Sequence, residues 1–577
     1  MNASVRSRTV GSVAIAAIIF AFSWLLRFND PGGAYAGLTD DHFFYLVRGW
    51  QILFGDLPVR DFVDHGAPLF YYVGAAVQWL GGRGTLPEIV FCVTALSVGA
   101  AATYWLAARA SGSRMLGVAA ALFQILLEPR FYNYPKILVY VVAIPALWAF
   151  ADRPTLQRSF WIALVTVIGS LFRHDHGVFV ALSMAALLIF MKSVGWRDRA
   201  RHACLYALMV IALLSPYVLF VQMNGGMTAY LKEAYAWAER DRERAPVKWP
   251  GLMDNPDGIS GDARHGDVLT RPVAVIRDNR IAWLYYLEIA VPFLALGLMG
   301  LASSAGRQGW PNAAAKISTV AVMGIVLNAG FLRGPLGARL ADPSVPHAIL
   351  LAWIVAATVR MVRGGSAALQ PPAAKFPRVT ASGVGLVVLA LVTLLAVTLS
   401  HDLRRRLDKA RLLDGPSKAV DRAGDIAKAF ASTWPLERWT EHNSPRAMDL
   451  TFYLRDCTRP ADRVFVAPYL PQVIALSQRA FAGGHADLRP GFFRSTGAQK
   501  LTIERIRRQS VPIVVLAGGE GHEGFRGSFP LIIAYLDEQY LPAGERILDG
   551  NLTLAFFVSK SVSPVRRYEP LDLPCFR

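Results

Sequence analysis

The sequence is dominated by apolar segments that are about as long as a membrane-spanning helix. A helix needs roughly 20 residues to cross the hydrocarbon layer of a bilayer. Of the 577 residues, 54% are hydrophobic, and they cluster in such segments. The sequence therefore predicts a mainly α, polytopic transmembrane helix bundle with about eleven spans. The spans are placed at 10–27, 66–82, 87–109, 135–151, 157–173, 176–192, 202–222, 281–303, 314–332, 345–362 and 379–400.

One apolar segment, 114–128, is too short to be assigned without a further argument. Lysine and arginine concentrate in the inner loops of membrane proteins. If 114–128 enters and returns on the outer face, the basic clusters at 192–201 and 360–378 both lie inside. The formal net charge of +18 is then explained by loops on anionic lipid, and no nucleic-acid partner is expected. This topology places the polar loops 28–65 and 223–280 on the outer face of the membrane, and the membrane predicted for the chain is the bacterial inner membrane.

The last 177 residues read differently from the rest of the chain. Strand-like runs at 463–467, 512–517 and 552–558 alternate with helical stretches at 418–431, 498–509 and 530–539. This alternation predicts a soluble, extracytoplasmic (periplasmic) α/β domain at 401–577, after a transmembrane domain at 1–400. Cys457 and Cys575 could pair in an oxidising compartment, and the sequence leaves this open.

Two features of the sequence argue against a nucleotide-binding site. The chain contains no Walker motif and no zinc-type spacing of cysteine and histidine. Gly519–Gly524 has the glycine spacing of a dinucleotide-binding turn, but the residues after it do not read as a helix. We therefore predict a flexible loop there, no metal and no cofactor, although a divalent ion stays possible.

Asp40 and Asp41 are the first candidates for chemistry. They lie between the first apolar segment and an amphipathic helix predicted at 41–54. A carboxylate next to a membrane is costly unless it is used, and one of the pair could take a proton from an incoming acceptor. The alternative is that both acids cap the helix, because aspartate favours helix N-termini.

Three further groups carry polar residues at the predicted outer face. Arg130 and Lys136, with Arg173 and His174, could hold a lipid phosphate. The predicted substrate pocket consists of Tyr45, Asp61, Tyr132, Asn133, Tyr134 and His176. Alternatives remain: an aromatic belt with cations at 128–136, polar loop groups at 173–176, and a structural pair of Asp61 with Arg60.

The stretch Asp40-Asp41-His42-Phe43-Phe44-Tyr45, followed by Arg48, Gly55, Pro58, Arg60-Asp61-Phe62 and Gly66-Ala67-Pro68-Leu69-Phe70-Tyr71-Tyr72, resembles the first outer loop of GT-C class glycosyltransferases. Protein O-mannosyltransferases and lipid A aminoarabinose transferases belong to this class. The resemblance covers about 28–75, and Asp41 stands where glutamate is frequent. It implies an inverting transferase, a polyprenyl-phosphate sugar donor, and Asp40 as catalytic base. It also implies basic residues that hold the lipid phosphate.

The sequence as a whole predicts an enzyme that moves a sugar from a polyprenyl-phosphate donor to a glycan, lipid or protein acceptor at the outer membrane face. The donor already carries an activated leaving group, so no nucleotide site is needed. One alternative is a transporter or flippase of lipid-linked glycans without chemistry. Another is a structural partner that has lost activity. The sugar, the acceptor and the oligomeric state are not fixed by the sequence.

Overall fold

A computed structural model describes residues 3–30, 38, 40–191, 193–244, 249–252, 279–303, 312–332, 336–363, 403–431, 448–548 and 552–577. The chain divides into two compact units. The helical unit comprises 1–30, 92–216 and 239–422, and the mixed unit comprises 31–91, 217–238 and 423–577. The predicted span 379–400 lies outside the described residues, as do 245–248 and 253–278 of the predicted outer loop 223–280. The predicted boundary at residue 400 stays a prediction.

Helices build the first three-quarters of the described chain. In chain order they are α1 Ala3–Asn29, α2 Asp40–Leu53, α3 Pro68–Gly81, α4 Thr85–Ser111, α5 Arg114–Leu126, α6 Tyr134–Asp152, α7 Leu156–Phe172, α8 His174–Phe190, α9 Trp196–Met223, α10 Met227–Arg244, α11 Arg280–Ser303, α12 Ala313–Leu327 and α13 Ser344–Arg363. A 3₁₀ turn at Phe131–Asn133 precedes α6. The boundaries follow local chemistry, since Ser113 caps α5 by accepting a bond from the Leu116 N–H, and Pro68 opens α3.

Six helices among the described residues are long and apolar enough to span a membrane. They are Val10–Asn29, Thr85–Ser111, Phe131–Asp152, Trp196–Met223, Arg280–Gly300 and Ala313–Leu332. Four shorter apolar helices accompany them, at Arg114–Leu126, Leu156–Phe172, His174–Phe190 and Ser344–Arg360. The predicted fold class, a polytopic membrane helix bundle with an α/β region at the C-terminal end, is confirmed. The number of spans and the inside–outside topology stay predictions.

The C-terminal part of the chain, 416–577, is an α/β structure that belongs mostly to the mixed unit. Its elements are α14 Pro416–Ala431, α15 Met448–Cys457, β1 Arg463–Val466, α16 Pro471–Ser477, β2 Ala480–Phe481, α17 Thr496–Arg507, β3 Ile513–Ala517, α18 Glu520–Ser528, α19 Pro530–Gln539, β4 Tyr540–Leu548, β5 Leu552–Ser559, β6 Arg566–Tyr568 and β7 Leu573–Cys575. The main sheet has the order β2-β1-β3-β5-β4. Strands β1, β2 and β3 run parallel, and β5 and β4 are antiparallel additions.

The sheet encloses its own apolar core. Fully buried side chains from β1, β3 and α19, among them Phe465, Val514 and Leu536, form one cluster. Cys457 at the end of α15 and Cys575 in β7 form a disulfide across 118 residues. The pairing that the sequence left open is therefore present.

One prediction in this region is wrong. Gly519–Gly524 forms the start of helix α18 instead of a flexible loop. Gly519 has a φ of 55°, a conformation that glycine adopts without strain, and it turns the chain from β3 into the helix. Glu520 and Glu523 lie in the first turn, where their charges interact favourably with the helix dipole.

The amphipathic helix predicted at 41–54 is present as α2, and it is packed in protein. Its apolar side chains, including Phe43 and Trp50, are buried. Gly49 allows a close approach to α3, because a Cβ there would lie 3.1 Å from the Ala75 nitrogen. The apolar face of α2 is therefore a face that packs against other parts of the protein.

The loop after α2 is tied to the C-terminal sheet within the mixed unit. Arg463 binds the carboxylate of Asp56 through both terminal nitrogens. The Gln51 amide donates to the Phe481 carbonyl at 3.0 Å and accepts from the Phe481 N–H. Arg505 donates to the carbonyls of Val59 and Arg60 at 3.1 and 2.8 Å. The first loop and the α/β region therefore share one structure, although about 400 residues separate them in sequence.

Candidate functional site

The acid pair lies at the first turn of α2. Asp40 is the first residue of that helix, and its side chain is not among those described. Asp41 is exposed, and its Oδ1 accepts one hydrogen bond from the Tyr469 hydroxyl at 2.9 Å. Among the described residues, Tyr469 is the hydrogen-bond donor to this carboxylate, which leaves most of its acceptor sites unused by those residues. The catalytic roles of Asp40 and Asp41 stay predictions.

The topology of the sheet explains how Tyr469 reaches this position. Tyr469 lies in the loop directly after β1, and Asp487 and Arg489 follow β2. Since β1 and β2 are parallel, their carboxyl ends meet at the same edge of the sheet. Open α/β sheets bind ligands at this edge, where the strands end and loops diverge. The acidic residue Asp41 at the start of α2 is thus held beside the edge of the sheet at which the parallel strands end.

Arg489 is the centre of a group of aromatic rings. Its guanidinium lies 4.6 Å from the centroid of Tyr469, 5.4 Å from Trp237 and 5.5 Å from Phe492. Its Nε donates to Asp487 Oδ2 at 2.9 Å. Asp487 is buried, whereas Arg489 and the three rings are partly exposed. We call Asp41, Trp237, Tyr469, Asp487, Arg489 and Phe492 the strand-end cluster.

His65 packs against the same cluster. Its ring lies 4.4 Å from Trp237, 5.0 Å from Phe44 and 6.1 Å from Phe493, measured between centroids. Burial, helped by the positive charges of Arg48 and Arg489, lowers the pKa of His65 well below its ordinary value. His65 is therefore neutral near pH 7 and adds an uncharged, partly polar ring to the wall.

Electrostatics keep the tyrosine of the cluster protonated. Burial and the nearby charge of Asp41 raise the pKa of Tyr469 above its ordinary value. Burial also lowers the pKa of His485 to about 3. The strand-end cluster itself holds two carboxylates, Asp41 and Asp487, and one guanidinium, and the buried guanidinium of Arg48 lies close enough to act on His65.

A second carboxylate of the first loop has a different environment. Asp64 is buried, and its Oδ1 accepts bonds from the N–H groups of Gly66 and Ala67, both at 2.9 Å. Its Oδ2 accepts from the hydroxyls of Tyr217 and Tyr230. Four donors use the acceptor sites of this carboxylate. Asp64 therefore connects the start of α3 with α9 and α10, and it is a structural residue.

Asp61 and Tyr45 were assigned to the substrate pocket. The carboxylate of Asp61 accepts from Arg60 at 2.6 and 2.9 Å and from the Leu57 N–H at 2.8 Å. Burial acts to raise the pKa of Asp61, but these hydrogen bonds dominate and the pKa is lowered. The structural pair of Asp61 and Arg60 is thus formed. The ring of Tyr45 stacks on Phe70 with 4.3 Å between centroids. A contact of either residue with substrate stays a prediction.

The helical unit contains the predicted phosphate ligands. Lys136 Nζ lies 2.5 Å from Asp342 Oδ2 in a buried ion pair. Arg173 binds both carboxylate oxygens of Asp175. Arg173 also lies close enough to Lys136 for their charges to interact. The structure thereby brings the segments 128–136 and 173–176 together, with each cation partly neutralised by an aspartate.

The other predicted residues of this unit form local contacts. Arg130 donates to the Tyr132 hydroxyl at 3.4 Å, and the His176 Nδ1 lies 2.9 Å from the Tyr140 hydroxyl. The rings of Tyr134 and Phe172 meet edge to face at 6.1 Å. His174 Nδ1 lies 3.0 Å from the Ser170 carbonyl oxygen. Asn133 is buried, and its Oδ1 has no hydrogen-bond partner among the described residues.

Sequence reasoning missed the strand-end cluster apart from Asp41. Trp237 lies in helix α10, within the segment 223–280 that was predicted as a loop and carried no motif, and Tyr469 and Arg489 lie in the tail. One signal was available, because β1 was predicted and polar residues at the carboxyl end of a parallel strand are candidate ligand contacts.

Comparisons with known proteins give a likeness to solved structures. No protein-family model matches the sequence, and no curated protein matches it. Among solved structures, the chain is similar to the crystal structure of ArnT from Cupriavidus metallidurans bound to undecaprenyl phosphate. The two share 12% identity and a TM-score of 0.41, covering 95% of this chain and 98% of that chain. ArnT is a lipid A aminoarabinose transferase of the GT-C class, the class that the first loop resembles. At this identity and TM-score, the likeness assigns no substrate and no residue role.

Proposed function

We propose that this membrane protein is an inverting glycosyltransferase that uses a polyprenyl-phosphate sugar donor. The observation that carries the proposal is the placement of the acid pair, at the first turn of α2 and beside the carboxyl ends of parallel strands. Asp41 is exposed there with a single described donor, Tyr469. A carboxylate that is not saturated by protein donors can accept a hydrogen bond from an acceptor hydroxyl and orient it beside the neighbouring base, Asp40.

In the proposed reaction, Asp40 takes the proton of the acceptor hydroxyl while the oxygen of that hydroxyl attacks the anomeric carbon of the donor sugar. The bond from that carbon to the phosphate oxygen breaks, and the phosphate leaves with the electron pair. Asp41 supports the base by orienting the acceptor. Undecaprenyl phosphate is the proposed product on the donor side, as suits an envelope enzyme of the bacterial inner membrane.

The leaving phosphate needs positive charge. Arg130, Lys136, Arg173 and His174 are the proposed ligands, and the convergence of their two segments within the helical unit supports this assignment. Lys136 and Arg173 already have aspartate partners. The phosphate would compete with Asp342 and Asp175 for these cations. The doubly charged phosphate of the product competes better than the singly charged phosphate of the donor, so the cations bind the phosphate group when the product forms.

The experiment measures release of undecaprenyl phosphate by mass spectrometry. The full-length protein is reconstituted in liposomes with undecaprenyl-phosphoglucose, -mannose or -arabinose and a membrane glycan extract. We expect Asp40→Asn to lower release at least about 100-fold, since loss of a general base costs two to four orders of magnitude. Glu504→Gln is the matched control, because Glu504 lies on the exposed face of α17 and pairs only with Arg508 among described residues.

Wild-type release by Asp40→Asn would reject the base assignment. If the wild type releases no undecaprenyl phosphate from any donor but moves labelled lipid-linked sugar across the vesicle, the flippase alternative is correct.

A further inference from the structure

The strand-end cluster has the chemistry of a sugar-binding surface. Sugar rings pack their C–H faces on aromatic side chains, and their hydroxyls bond to carboxylates and guanidinium groups. Trp237, Tyr469 and Phe492 offer partly exposed rings around one guanidinium. Asp41 offers a carboxylate with free acceptor capacity at the same place. We infer that this cluster binds the acceptor of the proposed transferase, and that the acceptor is an uncharged sugar of a glycan.

The local charge argues for an uncharged ligand. Arg489 is the cation of the cluster, and Asp487 binds its Nε at 2.9 Å. Asp41 adds a second negative charge next to Tyr469. A carboxylate or phosphate on the ligand would meet the exposed Asp41 and would gain little from a guanidinium that is already paired, while the nearby Arg48 is buried and donates to the Phe44 carbonyl. A neutral pyranose meets no such cost.

The geometry also argues for binding through a ring face. Arg489 lies over three rings at once, which fixes their mutual orientation before any ligand arrives. His65 packs against Trp237 at 4.4 Å and is uncharged near pH 7. A rigid aromatic surface of this kind loses little side-chain entropy on binding.

That the ligand is the acceptor rests on the proposed function, but the binding of a sugar to the strand-end cluster can be measured without the donor. The full-length protein is purified in lauryl dimethylamine oxide, because a maltoside detergent would itself compete as a sugar. Saturation-transfer NMR then uses methyl α-D-glucopyranoside and methyl α-D-mannopyranoside as neutral probes. Methyl α-D-glucuronide is the anionic probe of the same shape.

We expect saturation transfer to the ring protons of at least one neutral glycoside and a signal at least about fivefold weaker for the glucuronide. Trp237→Leu should lower the neutral signal roughly five- to tenfold, and Trp237→Phe should restore most of it, since a smaller ring still stacks. Trp79→Leu is the matched control, because Trp79 is 75% exposed on α3 and outside the cluster. In the transfer assay, Trp237→Leu should raise the acceptor KM about tenfold and leave the donor KM within about twofold.

Equal signals from wild type and Trp237→Leu, or a stronger signal from the glucuronide, would overturn the inference. Either result alongside normal release of undecaprenyl phosphate would leave the transferase proposal intact. Binding of neutral glycosides by a protein that releases no undecaprenyl phosphate would keep the site and reject the transferase.

Discussion

Asp41 and Asp64 both belong to the first polar loop, 28–65, and their environments are opposite. Asp64 is buried and accepts four hydrogen bonds from two backbone amides and two tyrosines. Asp41 is exposed and accepts one bond from Tyr469. A saturated carboxylate holds the fold, whereas an unsaturated one is available to a substrate. Proximity in sequence therefore does not indicate which of several acids in a loop performs chemistry.

The largest contrast should appear when each carboxylate is removed. Asp64→Ala leaves two N–H groups and two hydroxyls without their acceptor, and we expect it to lower the free energy of unfolding by roughly 4 kcal/mol. Asp41→Ala should change it by less than about 0.5 kcal/mol, since water can replace the carboxylate at the surface. Urea titration of the full-length protein in detergent, followed by circular dichroism, compares the two variants. Equal losses of stability would remove the distinction between them.

A smaller contrast should follow when one donor to each carboxylate is removed. Tyr217→Phe leaves the buried Asp64 with one donor fewer, at an expected cost of about 1–2 kcal/mol. Tyr469→Phe keeps the ring under Arg489 and leaves an exposed Asp41, so the expected cost is at most about 0.5 kcal/mol. The same urea titration measures both. A larger loss for Tyr469→Phe would show that Asp41 is held as tightly as Asp64.

Some helices and strands of the fold could be predicted from the sequence, and others could not. Helices such as α4 and α9 follow from long apolar runs, and β1, β3 and β5 follow from short runs of buried residues. Strand β4 was missed because most of its side chains are exposed and Pro542 and Gly544 interrupt it with a register shift. Helix α18 was missed because four of its nine residues are glycine or serine. The amino-acid composition of a segment therefore predicts a helix or strand when one face of that element, or all of it, is buried.

The site was harder to predict from the sequence than the fold, because the residues that form it lie far apart along the chain. Residues that meet at Asp41 and Asp64 are separated from them by 428, 153 and 166 positions. No local pattern encodes such a meeting, and it follows only once strand order and helix packing are fixed. The sequence identified Asp41 because its neighbours form a recognisable loop. Trp237 and Arg489 have no such local context.

The pH dependence of stability tests how closely the α/β region surrounds the strand-end cluster. His485 is buried beside Phe493, and its Nε2 lies 3.0 Å from the Thr502 hydroxyl. Burial lowers its pKa to about 3 in the folded state, whereas an unfolded histidine titrates near 6.5. Between these values the unfolded chain binds the additional proton, so stability falls as the pH is lowered.

For His485 this loss amounts to about 2 kcal/mol between pH 7 and pH 5, at roughly 1.4 kcal/mol for each pH unit below 6.5. His65, whose pKa is lowered in the same direction, should add to it. We expect His485→Gln to reduce the pH dependence of the free energy of unfolding by that amount, whatever its effect at pH 7. Urea titrations at pH 5, 6 and 7 measure the slope. An unchanged slope would mean that His485 reaches solvent and that the wall behind Phe493 is open, which would also weaken the case for a rigid aromatic surface at the strand ends.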